Sequence, residues 1–139
     1  MNPTIIFLLI AIVLVGIMVF VAISLTSKKR YSFEKEEYQA DWLHIENSLV
    51  KDNPSTYTSA IIEADKLLDK ALNEMGVPGK TMGERLKKSS AYFSQLNAVW
   101  HAHKMRNQIA HEHGFKVEYS QAKRALASFK QALKDLEAI

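Results

Sequence analysis

The stretch Trp100-His101-Ala102-His103-Lys104-Met105-Arg106-Asn107-Gln108-Ile109-Ala110-His111-Glu112-His113-Gly114 decides how this chain is read. Leu96, Val99, Trp100, His103, Asn107 and Ala110 recur at the three- and four-residue spacing of a helix face. Gly114 is placed to stop that helix as a C′ glycine. The same segment carries four histidines together with Lys104, Arg106 and Asn107. No other segment concentrates groups able to do chemistry, so any function must be argued from here.

The neighbouring segments are helical too. From Glu118 to the C-terminus, Ala122, Ala125, Leu126, Phe129, Leu133 and Leu136 form one apolar stripe, with Lys123, Arg124, Lys130 and Lys134 on the solvated face. Upstream, Thr81-Met82-Gly83-Glu84 fits a capping box opening a short helix through Leu86. Ser89-Ser90 interrupts it, and Ser94 is the expected cap of the helix from Gln95 to Glu112. Farther back, Ile61, Ala64, Leu67, Leu68, Ala71, Leu72 and Met75 line a helix from Ser55 to Met75 that ends at Gly76-Val77-Pro78-Gly79. Asp52-Asn53-Pro54-Ser55 separates it from an amphipathic helix over 34–50, carrying Tyr38, Trp42, Ile45 and Leu49. No strand pattern and no internal repeat is present. The expectation is an all-α, four- to five-helix bundle with antiparallel neighbours.

A different solvent is implied at the N-terminus. Thr4 to Leu25 runs without a charge, longer than the roughly 20 apolar residues needed to cross a hydrocarbon core. A cleaved signal peptide would need a basic start and a shorter apolar core, and Met1-Asn2-Pro3 carries no charged side chain. Lys28-Lys29-Arg30 follow the span directly, which by the positive-inside rule places the C-terminal side in the cytoplasm. Tyr31 and Phe33 fall where an interfacial aromatic belt is expected. Gly16 has no glycine four residues away, so no GxxxG motif is present. The expected organisation is a single transmembrane helix over 1–27, a basic juxtamembrane segment with a linking amphipathic helix over 28–53, and a helical domain over 54–139.

Composition narrows the chemistry. The 139 residues carry a net charge of +3 and no cysteine. Disulfide frameworks, thiolate metal sites and cysteine nucleophiles are therefore excluded. The modest positive excess permits an anionic partner without requiring one. Lys80, Arg85, Lys87 and Lys88 fit either phosphate contacts or a solvated helix face. The histidines invite a metal reading, but His101/His103 and His111/His113 are two apart and diverge on a helix. With no HExxH pattern either, neither a metal nor another cofactor is expected.

The string Arg106-Asn107-Gln108-Ile109-Ala110-His111, late in a long helix and followed by a glycine turn and one amphipathic helix, resembles the HEPN superfamily. Its hallmark is an Arg, four to six residues, then a His, often with a polar residue after the Arg. The resemblance extends over about Tyr57 to Ile139 and implies a HEPN-like bundle. It also implies metal-independent RNA cleavage, in which two protomers pair so that both motifs line one cleft. Carried over by position, His111 would assist proton transfer during attack of a ribose 2′-hydroxyl, Arg106 would hold the phosphate, and Asn107 would orient the pair. Lys104 and His103 are the candidate substrate contacts. The chemistry suits those residue types: histidine exchanges protons near neutrality, and guanidinium gives phosphate two parallel hydrogen bonds. Helical geometry sets Arg106 and His111 about 140° apart around the axis, so convergence calls for a long Arg side chain, a frayed helix end or a second protomer.

Two functional expectations follow. One is a membrane-anchored ribonuclease that works as a homodimer or higher oligomer in defence or stress response, the setting coming only from the family. The other is a non-catalytic helical domain that oligomerises at the membrane or docks a partner protein, as a scaffold or pore-type assembly. In that second case Arg106 is simply paired with Glu112 or with a carboxylate on another helix, and His111 hydrogen-bonds a backbone carbonyl and fastens the turn before the last helix.

Overall fold

A computed structural model of the chain describes residues 2–26 and 31–139. The basic triplet Lys28-Lys29-Arg30, on which the expected orientation rests, lies outside the described residues. Among those described there are six α-helices, one 3-10 turn and no strand. They divide into two compact units, Met1–Ser32 and Phe33–Ile139.

The first unit is the helix α1, Pro3–Thr26. At 24 residues and 1.5 Å per residue it is about 36 Å long, enough for a hydrocarbon core of about 30 Å. Its large apolar side chains are exposed all round, Phe7 and Phe20 among the most open. A helix apolar on every side has no polar face to offer water. It is long and apolar enough to cross a membrane.

The second unit is a bundle of α2 (Lys35–Ser48), α3 (Pro54–Glu74), α4 (Met82–Lys88), α5 (Leu96–His111) and α6 (Tyr119–Asp135). Helix α3 is its centre, packing against α2, α4, α5 and α6. Proline is tolerated at the start of α3 because the first turn has no partner for its missing N–H. Ile61, Ala64, Leu68, Ala71 and Leu72 are fully buried along it. The helix ends in a Schellman motif: Gly76 takes φ +72°, Val77 N–H donates to the Leu72 carbonyl at 3.0 Å, and Gly76 N–H donates to Asn73 at 2.9 Å.

Helix α2 belongs to this unit rather than linking to it. Tyr38, Trp42 and Ile45 are buried in the common core. Phe33, expected at the membrane interface, packs instead against Tyr38, ring centroids 5.3 Å apart and nearly perpendicular. Lys70 on α3 reaches back across the junction to Glu37 at 2.6 Å.

Two expected helix boundaries also move. Ser94 does not cap α5; Gln95 holds that position. The Ser94 amide and hydroxyl both donate to Asp135 Oδ2 at 2.7 Å, tying the loop before α5 to the end of α6. Gly114 adopts φ +79° but lies two residues past the C-cap Glu112, within the turn toward α6, rather than at C′.

Candidate functional site

Helix α4 is short, and its geometry comes from its caps. Thr81 Oγ1 accepts from Glu84 N–H at 3.2 Å, as the capping box requires, while the Glu84 carboxylate reaches past Thr81 to the Lys80 amide at 2.8 Å. Arg85 then clamps α4 to α3 with a two-pronged pair, Nε to Asp69 Oδ1 at 2.7 Å and a terminal nitrogen to Oδ2 at 2.8 Å. Its other terminal nitrogen donates to the Gly79 carbonyl. The hydrogen bond to Asp69 holds the Arg85 pKa above its ordinary value, against the lowering effect of burial. This clamp fixes one wall of a groove of about 750 Å³ whose floor is α3 and whose far wall is α5.

All five site residues expected from the sequence, His103, Lys104, Arg106, Asn107 and His111, line this groove. Five cationic side chains, from Lys66, Lys80, Arg85, Lys104 and Arg106, stand around it against two carboxylates, Asp65 and Asp69. Its character is anion-accepting.

The groove's organising residue is Asp65, which carries no part of the sequence motif. It sits on the apolar stripe of α3 between Ile61 and Leu68 and is only 3% exposed. A carboxylate buried this deeply needs charged or hydrogen-bonding partners. His103 Nδ1 lies 2.8 Å from Oδ1, and Arg106 Nε lies 3.5 Å from Oδ2. The second contact is electrostatic only, since Arg106 Nε makes no hydrogen bond. Arg106 therefore does pair with a carboxylate on another helix, yet its terminal nitrogens remain for other partners.

One of those nitrogens orients the Asn107 amide. Arg106 donates to Asn107 Oδ1 at 3.1 Å. Guanidinium has no acceptor, so the amide oxygen must face Arg106 and the amide nitrogen must face the other way. That nitrogen lies 3.3 Å from His103 Nε2. Asn107 therefore donates to Nε2, which accepts with its lone pair. The ring proton then sits on Nδ1 and is donated to Asp65. Arg106, Asn107, His103 and Asp65 form a hydrogen-bonded chain that runs from the guanidinium to the carboxylate and makes His103 Nε2 an acceptor along it.

The side of the ring facing α4 is left open by a glycine. A methyl group on Gly83 would lie 3.5 Å from His103 Nε2. Trp100 covers another edge, its ring centroid 6.0 Å from that of His103 in a T-shaped contact. Trp100 is half-buried: it packs against the core and also forms part of the groove's wall.

His111 stands apart from this chain. It is exposed, and it borders both the main groove and a second cleft of about 400 Å³ at the end of α5. The structure thus brings His103, Arg106 and Asn107 together and leaves His111 at the rim. Lys104 also lines the groove. Asp65 and Gly83 were not singled out from the sequence. An acid at a core position of the α3 stripe was the available signal for the first; the second has none before α4 and α5 are placed side by side.

Among the described residues, no three His, Asp or Glu side chains are grouped as a metal site would need. No family model, curated protein or solved structure matches the chain.

Proposed function

We propose that the chain is a membrane-anchored endoribonuclease with a HEPN-like bundle, cleaving RNA without a metal at a site assembled when two copies pair. The observation that carries this reading is the cationic groove that gathers Arg106, Asn107 and His103 and is edged by His111. Arg106 offers guanidinium donors to a phosphodiester, and Lys104 and Lys66 add charge along the same path. Ribose 2′-hydroxyl chemistry restricts such a reaction to RNA. His111, exposed at the rim, serves a phosphate held in the groove of a second protomer, which removes the angular difficulty of joining it to Arg106 on one helix. Helix α1 holds the assembly in the membrane, and Lys28-Lys29-Arg30 place the bundle on the cytoplasmic side.

The test is cleavage of total cellular RNA and of a mixed-sequence oligonucleotide by the full chain in detergent, with Arg106→Ala and His111→Ala beside it. The expected products are fragments ending in a 2′,3′-cyclic phosphate, with both variants at least about 100-fold slower. Equal cleavage by all three proteins would reject the site. The alternative of a non-catalytic docking domain is favoured only by the pairing of Arg106 with Asp65, and the open groove beside that pair leaves it second.

A further inference from the structure

The motif directs attention to His111, but the imidazole beside Arg106 is His103. One helical turn separates the two, and both side chains converge on Asp65. His111 lies eight residues beyond His103, about 12 Å of helical rise. A phosphate held by Arg106 is therefore flanked by His103 within the same protomer.

We propose that His103 is the general base of this site and that Asp65 is the residue that positions it. The inference rests on the ribonuclease reading above and adds to it a catalytic residue and a positioning residue. Three features support the assignment. The hydrogen-bond chain from Arg106 through Asn107 leaves Nε2 as an acceptor. Asp65 holds the Nδ1 proton at 2.8 Å and so fixes both tautomer and ring orientation. Gly83 leaves space on the Nε2 side that any side chain would fill. The Asn107 amide, at 3.3 Å, occupies the place that a substrate hydroxyl takes when RNA enters.

The step balances as follows. His103 Nε2 takes the proton of the ribose 2′-hydroxyl as that oxygen bonds to the adjacent phosphorus. The bond from phosphorus to the 5′ oxygen breaks, and His111 of the second protomer gives that departing oxygen a proton. The products are a 2′,3′-cyclic phosphate end and a 5′-hydroxyl end, and no further reactant is consumed. Arg106 balances the charge that develops on the phosphate.

The charged groups around His103 are Asp65, Lys66 and Asp69 from α3, Lys80 from the loop before α4, Arg85 from α4, and Lys104 and Arg106 from α5, with His111 at the rim. Histidine is the side-chain type among these that exchanges its proton between pH 5 and 8. A base and an acid of that type give a bell-shaped dependence of kcat/KM on pH. The base must be unprotonated, so it sets the acid limb; the acid must be protonated, so it sets the alkaline limb.

The experiment uses the full chain in detergent with a labelled mixed-sequence RNA. His103→Asn should lower kcat by about 100-fold or more, leave KM within about twofold, and flatten the acid limb. His111→Asn should flatten the alkaline limb instead. Asp65→Asn should lower kcat about tenfold with KM retained, because the ring loses its fixed tautomer. His103→Asn running within about threefold of wild type with its acid limb intact would overturn the assignment while leaving the ribonuclease reading standing. No cleavage by the wild-type chain would sink the ribonuclease reading and the role of His103 with it. Should a variant fail to fold, nitrogen-15 NMR of the wild-type imidazoles decides the geometry directly. His103 protonated at Nδ1 supports the assignment, and His103 protonated at Nε2 overturns it.

Discussion

Asp65 and Gly83 act on the same imidazole in opposite ways, and they separate stability from activity. Asp65→Ala leaves the Nδ1 proton of His103 in a buried place without its acceptor and the Arg106 guanidinium without its neighbouring carboxylate. An unsatisfied buried donor costs about 1–3 kcal/mol, so urea unfolding should show a loss of about that size. An unchanged midpoint would mean that water takes the carboxylate's place. Gly83→Ala should do the reverse. Its methyl meets only ordinary contacts, at 3.5 Å from His103 Nε2 and 4.0 Å from Trp100 and Thr81. Within helix α4 alanine is favoured over glycine by up to about 1 kcal/mol. The variant should therefore melt no lower than wild type, yet cleave RNA about tenfold or more slowly, because the methyl crowds the atom that accepts the proton. A variant as stable and as active as wild type would show that the Gly83 side is not the path of approach.

At the scale of elements, the junction of α2 with α3 is the part most exposed to alkali. The Tyr38 hydroxyl is buried, and that burial, then its interaction with the Glu74 carboxylate and the Glu37 and Asp41 charges, pushes its pKa far up. Lys70 lies over the same ring at 4.9 Å, and its pKa is raised by its hydrogen bond to Glu37 and by the Glu37, Asp41 and Glu74 charges, against the lowering effect of burial. In both cases the folded value exceeds the unfolded one. Their contributions are therefore complete below about pH 10, where neither group loses its proton in either state, and are lost as pH climbs toward and through the folded values. The Lys70 pair is substantially exposed and is worth well under about 1 kcal/mol, so Tyr38 dominates. Amide exchange in α2 should accelerate before that of α3 between about pH 10 and 12, and Tyr38→Phe should flatten that response. Simultaneous exchange in both helices would show that α2 does not loosen separately. These same elements show what a sequence can and cannot disclose. Every helix was legible from apolar spacing and caps, because those signals are local. Phe33 was misread although its signal is local too: it lies at N′ of α2 and packs on Tyr38 at N4, a hydrophobic staple. Ser94 misled because serine is a favoured N-cap, while its actual acceptor, Asp135, lies at the end of another helix. In the site, Arg106, Asn107 and His111 were legible as a motif. The hydrogen-bond chain through His103 to Asp65 was not, because it joins α5 to α3 across 38 residues of chain.

At the scale of the whole molecule, the question is how His111 can serve a phosphate bound beside Arg106. His111 stands at the rim of its own chain's groove, two turns from His103 along α5. If the site is assembled from His103 and Arg106 of one copy and His111 of another, two inactive variants should restore each other. A mixture of His103→Asn and His111→Asn chains, unfolded from their oligomers in excess detergent and reassembled together, forms unlike pairs. In such a pair one groove contains both lesions and the other contains neither. With random pairing, half of the dimers are mixed and each has one intact site of two, so the rate should recover to about a quarter of wild type. Dilution into detergent micelles holding single chains should abolish that activity, because the second histidine is then absent. A double variant carrying both substitutions on one chain, mixed with an Arg106→Ala chain, is the control: every groove then lacks either its base or its arginine, and no recovery is expected. Absence of recovery in the first mixture, with full activity in a demonstrated monomer, would place His111 in its own groove and require the end of α5 to bend toward Arg106.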